Sequence, residues 1–195
     1  KRNIAYEGID VPQGGPWGFR HQFNIADSGF GLRAPRVWND RAGEVGRTIR
    51  PEDFDLERIF GEEGVGILHL SGLIGALSPE TSRFCLELAR AAKKYGTIVS
   101  YDLNYRPSLW KDIGGQAKAQ EVNKEIAKYI DVMIGNEEDF TACLGFEIEG
   151  NDENLKELNL DGYKKMINEA AKAYPNFKAV ATTLREVKTA TVNDW

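Results

Sequence analysis

Cysteine and histidine are scarce in this chain, and so is any excess of positive charge. The two cysteines, Cys85 and Cys143, are too few and too far apart for a disulfide framework, so both are expected to be reduced, buried apolar residues. With only His21 and His69 the chain assembles no histidine-based metal site, and His69, set inside an apolar run, is expected to be a hydrogen-bonded core residue. The 25 Lys and Arg residues stand against 30 Asp and Glu, a net charge of -5, so the basic stripe required by a nucleic-acid backbone is missing. No apolar run approaches the roughly 20 residues of a membrane span, and the first residues carry no apolar segment of signal-peptide type. Two phosphate-binding signatures are also absent: no Gly-x-x-x-x-Gly-Lys-Ser/Thr occurs, and no Gly-x-Gly-x-x-Gly follows a strand and opens a helix. The expectation is a soluble, cytoplasmic chain with a small-molecule partner, bound neither to nucleic acid nor to membrane.

What is present alternates between strand and helix. Apolar runs at 65–71, 97–102, 131–135 and 178–184 read as buried strands. Between them, Ser78-Pro79-Glu80-Thr81 supplies an N-cap, a proline in the first turn and an early acid for a helix reaching Tyr95, where Gly96 stops it. Further helices are predicted over 116–129, from Glu137, and over 161–174, with one more near Arg50-Pro51-Glu52-Asp53 and a last strand from Thr189. This order predicts an α/β fold: a mostly parallel, doubly wound sheet with helices on both faces.

Residues 1 to 41 differ. Turn glycines at 14, 15 and 18 precede Phe19, His21 and Phe23 alternating with polar residues, and Gly29 and Gly31 lead to Arg36-Val37-Trp38-Asn39-Asp40-Arg41. This reads as a small β-layer with one apolar face that needs a partner surface, or as an edge meander of the core. The domain boundaries are expected at 1–48 for this layer and its connections and 49–195 for the α/β core.

The densest chemistry lies in Ser100-Tyr101-Asp102-Leu103-Asn104-Tyr105-Arg106-Pro107-Ser108-Leu109-Trp110, just after a strand, where open α/β sheets bind ligands. In extended backbone Asp102, Asn104 and Arg106 would share one face and meet one polar ligand together. The plainer alternative is that Asp and Asn merely cap the next helix.

This wording resembles the Asp-x-Asn-x-Arg element, followed by Leu-Trp, of the ribokinase-like (PfkB-type) carbohydrate kinases, and most of all their 2-keto-3-deoxygluconate kinases. Asn136-Glu137-Glu138-Asp139 resembles the family's Asn-x-x-Glu with Asp in the last place. Asn39-Asp40-Arg41 resembles the lid segment that sends an Arg to the sugar, with Asp40 where the keto-deoxygluconate kinases carry an aromatic. The resemblance implies the ribokinase-like fold with a β-lid, ATP and Mg2+, phosphoryl transfer to a hydroxyl of a sugar or sugar acid, and a homodimer formed through the lid. Arg41 and Arg106 would bind the sugar acid, and Asn104 would lie near the sugar or the phosphates. Asn136, Thr183 and Arg185 would serve the nucleotide, and Asp139 would organise Mg2+ through water. Arg41 also reads as a lid surface charge, and the three acids after Asn136 as helix-dipole partners. Neither the family's Gly-Gly-rich strand before the lid nor its Gly-Ala-Gly-Asp turn, with the Asp base, has a match here. The expectation is therefore the middle of a family member, truncated at both ends and inactive alone. A non-catalytic sugar-binding or regulatory domain and a different PfkB-type kinase, such as a fructokinase, remain as alternatives.

Overall fold

A computed structural model of the chain describes residues 6, 8–147, 160–183, 186–187 and 193–194. Four parallel strands form one sheet in the order β3 (Ile67–Ser71), β4 (Ile98–Asp102), β5 (Val132–Gly135) and β6 (Ala179–Thr182). Its register pairs Ser71 with Asp102, Asp102 with Ile134, and Gly135 with Thr182, so the four C-terminal ends are nearly level. The crossovers run through α2 (Pro79–Lys94), α4 (Gly115–Ala127) and, between β5 and β6, α5 (Glu137–Leu144) and α6 (Leu160–Ala173), with single-turn helices α1 (Gly72–Gly75) and α3 (Pro107–Trp110) at strand ends. The expected start of α2 is found: Ser78 Oγ accepts from the Thr81 amide at 3.2 Å and Pro79 takes the first turn.

Strands added in one direction by right-handed crossovers carry their connecting helices on one face. Burial agrees. Leu70, Val99, Tyr101 and Met133 point into a core with Phe84, Leu88, Ala92, Ile126 and Phe140. The opposite face bears Ile67 at 65% exposure and Ile98 at 39%, so the described residues supply no helical cover there. The expected core position of His69 is thereby corrected: it lies on that open face, exposed, with Nδ1 3.1 Å from Ser100 Oγ. The helix expected after Arg50 is also shorter, a 3-10 turn over Pro51–Asp53, and a π-helix over Glu57–Glu62 follows. Both cysteines are buried and free as expected, and burial pushes the Cys85 thiol up to about 12.

At the N-terminal end of the sheet, Asp131 is 2% exposed. Its carboxylate accepts from Lys93 Nζ at 2.8 Å, Lys178 Nζ at 3.0 Å and the Val99 amide at 2.9 Å. Burial alone would raise this carboxyl, but those donors outweigh it and hold it below the usual range.

Two compact units divide the chain, Lys1–Ile49 and Arg50–Trp195. In the first, β1 (Phe23–Asp27) and β2 (Arg36–Asp40) pair antiparallel with Ile25 opposite Trp38 and Phe23 opposite Asp40. One side of this ribbon therefore presents Phe23, Ile25 and Trp38, each at least half exposed. Of the strand expected from Thr189, β8 (Asn193–Asp194) is described and pairs antiparallel with β7 (Glu186–Val187); residues 188–192 lie outside the described residues.

Candidate active site

The C-terminal ends of β3, β4 and β5 gather most of the polar residues singled out in the sequence. The chain leaves β4 at Asp102, and Leu103, 1% exposed, anchors the next turn, its amide bonded to the Ile134 carbonyl at 2.9 Å. This turn lies directly on α1, because a Cβ on Gly72 would sit 2.1 Å from the Leu103 carbonyl oxygen. Asn104 then adopts φ +39°, the one non-glycine residue among those described with positive φ. A left-handed residue breaks the two-residue alternation, so the expected single row of Asp102, Asn104 and Arg106 does not form. Asn104 turns back to donate from Nδ2 to Ser71 Oγ at 3.2 Å, while Arg106 is exposed.

The carboxylate of Asp139 joins this turn to the end of β5. It is 6% exposed. Oδ1 accepts from the Tyr105 amide at 2.7 Å and Oδ2 from the Asn136 amide at 2.9 Å, while Asn136 Oδ1 accepts from the Asp139 amide at 2.8 Å. Asn136 and Asp139 thus form a reciprocal cap on α5, and Asn136 keeps its Nδ2 donor without a partner among the described residues. Asp102, half-buried at the strand end, is raised by burial first and by the nearby Asp139 charge second.

Arg106 Nη1 donates to the Tyr105 carbonyl at 2.9 Å, and the guanidinium pairs with no carboxylate among the described residues. The rim offers donors from the rest of the Arg106 guanidinium and Asn136 Nδ2, beside the half-buried Asp102 carboxylate. An open groove of about 620 Å³ beside Tyr105 and Pro107 is lined instead by Glu137, Glu138 and Glu147, a charge that opposes phosphate or a sugar acid. Thr183 follows β6 and is exposed; Arg185 lies outside the described residues. The Thr182 hydroxyl, which no sequence motif singles out, is buried with no hydrogen-bond partner among the described residues. Arg41 belongs to the first unit, where both Glu44 carboxylate oxygens accept from its Nη1 at 2.8 Å.

Comparison with known proteins settles the family. The sequence pattern of the pfkB family carbohydrate kinases matches residues 53–184. The chain belongs to that family. The 2-dehydro-3-deoxygalactonokinase of Haloferax volcanii is 31% identical over 122 residues, covering 61% of this chain and 36% of that protein. The 2-dehydro-3-deoxygluconokinase of Haemophilus influenzae is 26% identical over 120 residues, covering 60% of this chain and 37% of its own length. The crystal structure of the 2-dehydro-3-deoxygluconokinase of Thermotoga maritima aligns with a TM-score of 0.77 at 36% identity, over 90% of this chain and 50% of that one. The chain thus spans about a third of the length of these curated relatives and half of that solved kinase. The family and the parallel α/β fold are those expected from the sequence.

The donor set does not fit a directly held cation. Both oxygens of Asp139 already accept from main-chain amides, and among the described residues no group of three or more His, Cys, Asp or Glu is placed to hold a metal. Asn136, whose side-chain Nδ2 has no partner among the described residues, and Thr182, whose buried hydroxyl likewise has none there, lie at the ends of two adjacent parallel strands.

Proposed function

We propose that this chain is part of an ATP-dependent kinase that transfers the γ-phosphoryl group to a hydroxyl of a sugar acid of the 2-keto-3-deoxygluconate class. The observation that carries the reading is the exposed guanidinium of Arg106, with no carboxylate partner among the described residues, at the C-terminal rim of a parallel sheet within a pfkB family chain. A planar fork matches a carboxylate with two parallel hydrogen bonds, and a sugar acid offers that group where a neutral sugar does not. The relatives named for keto-deoxy sugar acids support the same class. In this reading Arg106 orients the acid and Asn104 lies beside the sugar or the phosphates. Asn136 and Thr183, with Arg185, serve the nucleotide. Arg41 is a second substrate residue once it exchanges Glu44 for the ligand. Catalysis is then chiefly positioning and charge neutralisation.

We also propose that the apolar side of the β1–β2 ribbon pairs two copies of the protein. Sedimentation of Trp38→Glu at graded concentrations tests this: the variant is expected to be monomeric where the parent is a dimer.

The functional test is a coupled assay of ADP release with 2-keto-3-deoxygluconate, fructose and ribose, run on the intact protein. Turnover is expected with the sugar acid. Arg106→Ala should lower kcat/KM by about one to two decades, the equivalent of one charge-assisted bond, mostly through KM. Arg106→Lys should recover only part, because an ammonium restores charge without the fork. Preference for fructose or ribose would move the protein to another kinase class. Tight binding of the sugar acid without turnover would favour a non-catalytic sugar-binding domain.

A further inference from the structure

We infer that Asp139 is a positioning residue for Arg106, holding the turn that aims the arginine, and that it is not a ligand to a cation. Three observations converge on it. The carboxylate is buried and both oxygens are engaged, one by the Tyr105 amide at 2.7 Å and one by the Asn136 amide at 2.9 Å. The Tyr105 amide follows Asn104, whose φ of +39° is a conformation that side chains other than glycine rarely adopt. The residue after Tyr105 is Arg106, and Tyr105 is gripped on both sides: its amide by Asp139, its carbonyl by the Arg106 guanidinium at 2.9 Å.

A strained turn persists only where its surroundings over-determine it. Here Leu103 is pinned to Ile134 and Asn104 to Ser71, and the third restraint is the charge of Asp139 on the Tyr105 amide. Without that restraint the backbone at Asn104 is free to return to negative φ, and Arg106 leaves the sheet in another direction. The length of the acid matters too. A Cβ on Gly135 would stand only 3.1 Å from the Asp139 Cβ, so this short side chain lies flat against the strand end and reaches two amides at once. Because the same carboxylate caps α5, it fixes the spacing between the Arg106 turn and Asn136.

The part that concerns substrate rests on the sugar-acid reading above; the latch itself does not. The test uses Asp139→Asn, which keeps the shape but turns one acceptor into a donor facing an N–H, together with Asp139→Glu, which keeps the charge at a different reach. Amide hydrogen exchange at Tyr105, followed by NMR, should quicken about tenfold or more in Asp139→Asn, the loss of a charge-assisted bond, while the Met133 amide in β5 stays protected. KM for the sugar acid should rise about tenfold with kcat little changed, and the Mg2+ concentration giving half-maximal rate should stay within about twofold. Asp139→Glu should recover part of both effects, and it stands in if the Asn variant fails to fold. Unchanged exchange at Tyr105 would overturn the inference. So would a tenfold shift in Mg2+ requirement with KM unaltered, because the carboxylate would then be serving a cation. If the parent protein phosphorylates no sugar acid, the functional reading falls, and Tyr105 exchange still decides whether Asp139 is the latch.

Discussion

The two ends of the parallel sheet each bury an aspartate, and they use it in opposite ways. At the N-terminal end Asp131 collects two lysines and one main-chain amide, so its charge is neutralised by cations of the same fold. At the C-terminal end Asp139 is met, among the described residues, by main-chain amides only, and the neighbouring cation, Arg106, is exposed with no carboxylate partner among them. The first arrangement closes an end of the sheet. The second commits the carboxylate to backbone geometry and leaves the Arg106 guanidinium exposed, with no carboxylate partner among the described residues. The difference separates an ion pair closed within the fold from an exposed charge to which we assign a ligand only as a proposal.

The largest effect expected from breaking the closed end is that of Asp131→Ala. It leaves the buried Val99 amide without an acceptor and removes two partly exposed lysine partners, for a cost of about 2–4 kcal/mol. Urea unfolding should report that loss with an unchanged slope, and a loss below about 1 kcal/mol would mean that the lysines and Val99 find other partners. The pH dependence follows from the direction of the shift. The Asp131 carboxyl is depressed in the folded chain relative to its ordinary value of 3.8, so its contribution is complete above that value and is lost as pH falls through the lower folded one. Asp131→Asn should lack this acid-side loss.

Much of this was legible in the sequence, and the parts that were not have physical causes. Strand runs such as 65–71 and the Ser78-Pro79 helix start were visible because periodicity and capping are local signals. The open face of β3 was not visible, since His69 in an apolar run looks the same whether or not a layer covers it. The row of Asp102, Asn104 and Arg106 failed for a different reason: its spacing assumes extended backbone, and a single left-handed residue redirects everything after it. The role of Asp131 could not be read at all. It depends on Lys93 and Lys178, 38 and 47 positions away, brought together by two crossovers.

At the open end the expected effect is smaller in stability and more specific. Gly72→Ala places a Cβ 2.1 Å from the Leu103 carbonyl oxygen, where the obstacle is backbone and cannot swing aside. Overpacking of this kind costs about 1–3 kcal/mol, and the loop bearing Asn104 and Arg106 must move to relieve it. Gly66→Ala is the control, because a Cβ there meets nothing within 4 Å. Gly72→Ala should therefore weaken sugar-acid binding while Gly66→Ala leaves it intact, as read by calorimetric titration. Equal effects would mean that the rim does not depend on the Gly72 contact.

The smallest effect tests how evenly the closed end shares its charge. Lys93 and Lys178 reach Asp131 at nearly the same distance, 2.8 and 3.0 Å, yet their side chains are 34% and 67% exposed. An exposed ammonium keeps most of its hydration and loses most of its pairing energy to screening, so Lys178→Ala should cost about 0.5 kcal/mol or less. Lys93, more enclosed and packed along α2, should cost more, about 1 kcal/mol. The gap between the two variants should narrow as salt is raised from about 0.05 to 1 M, where the Debye length falls to about 3 Å. Equal losses at low salt would show that exposure does not set the worth of these pairs, and that the second lysine is as much a part of the closed end as the first.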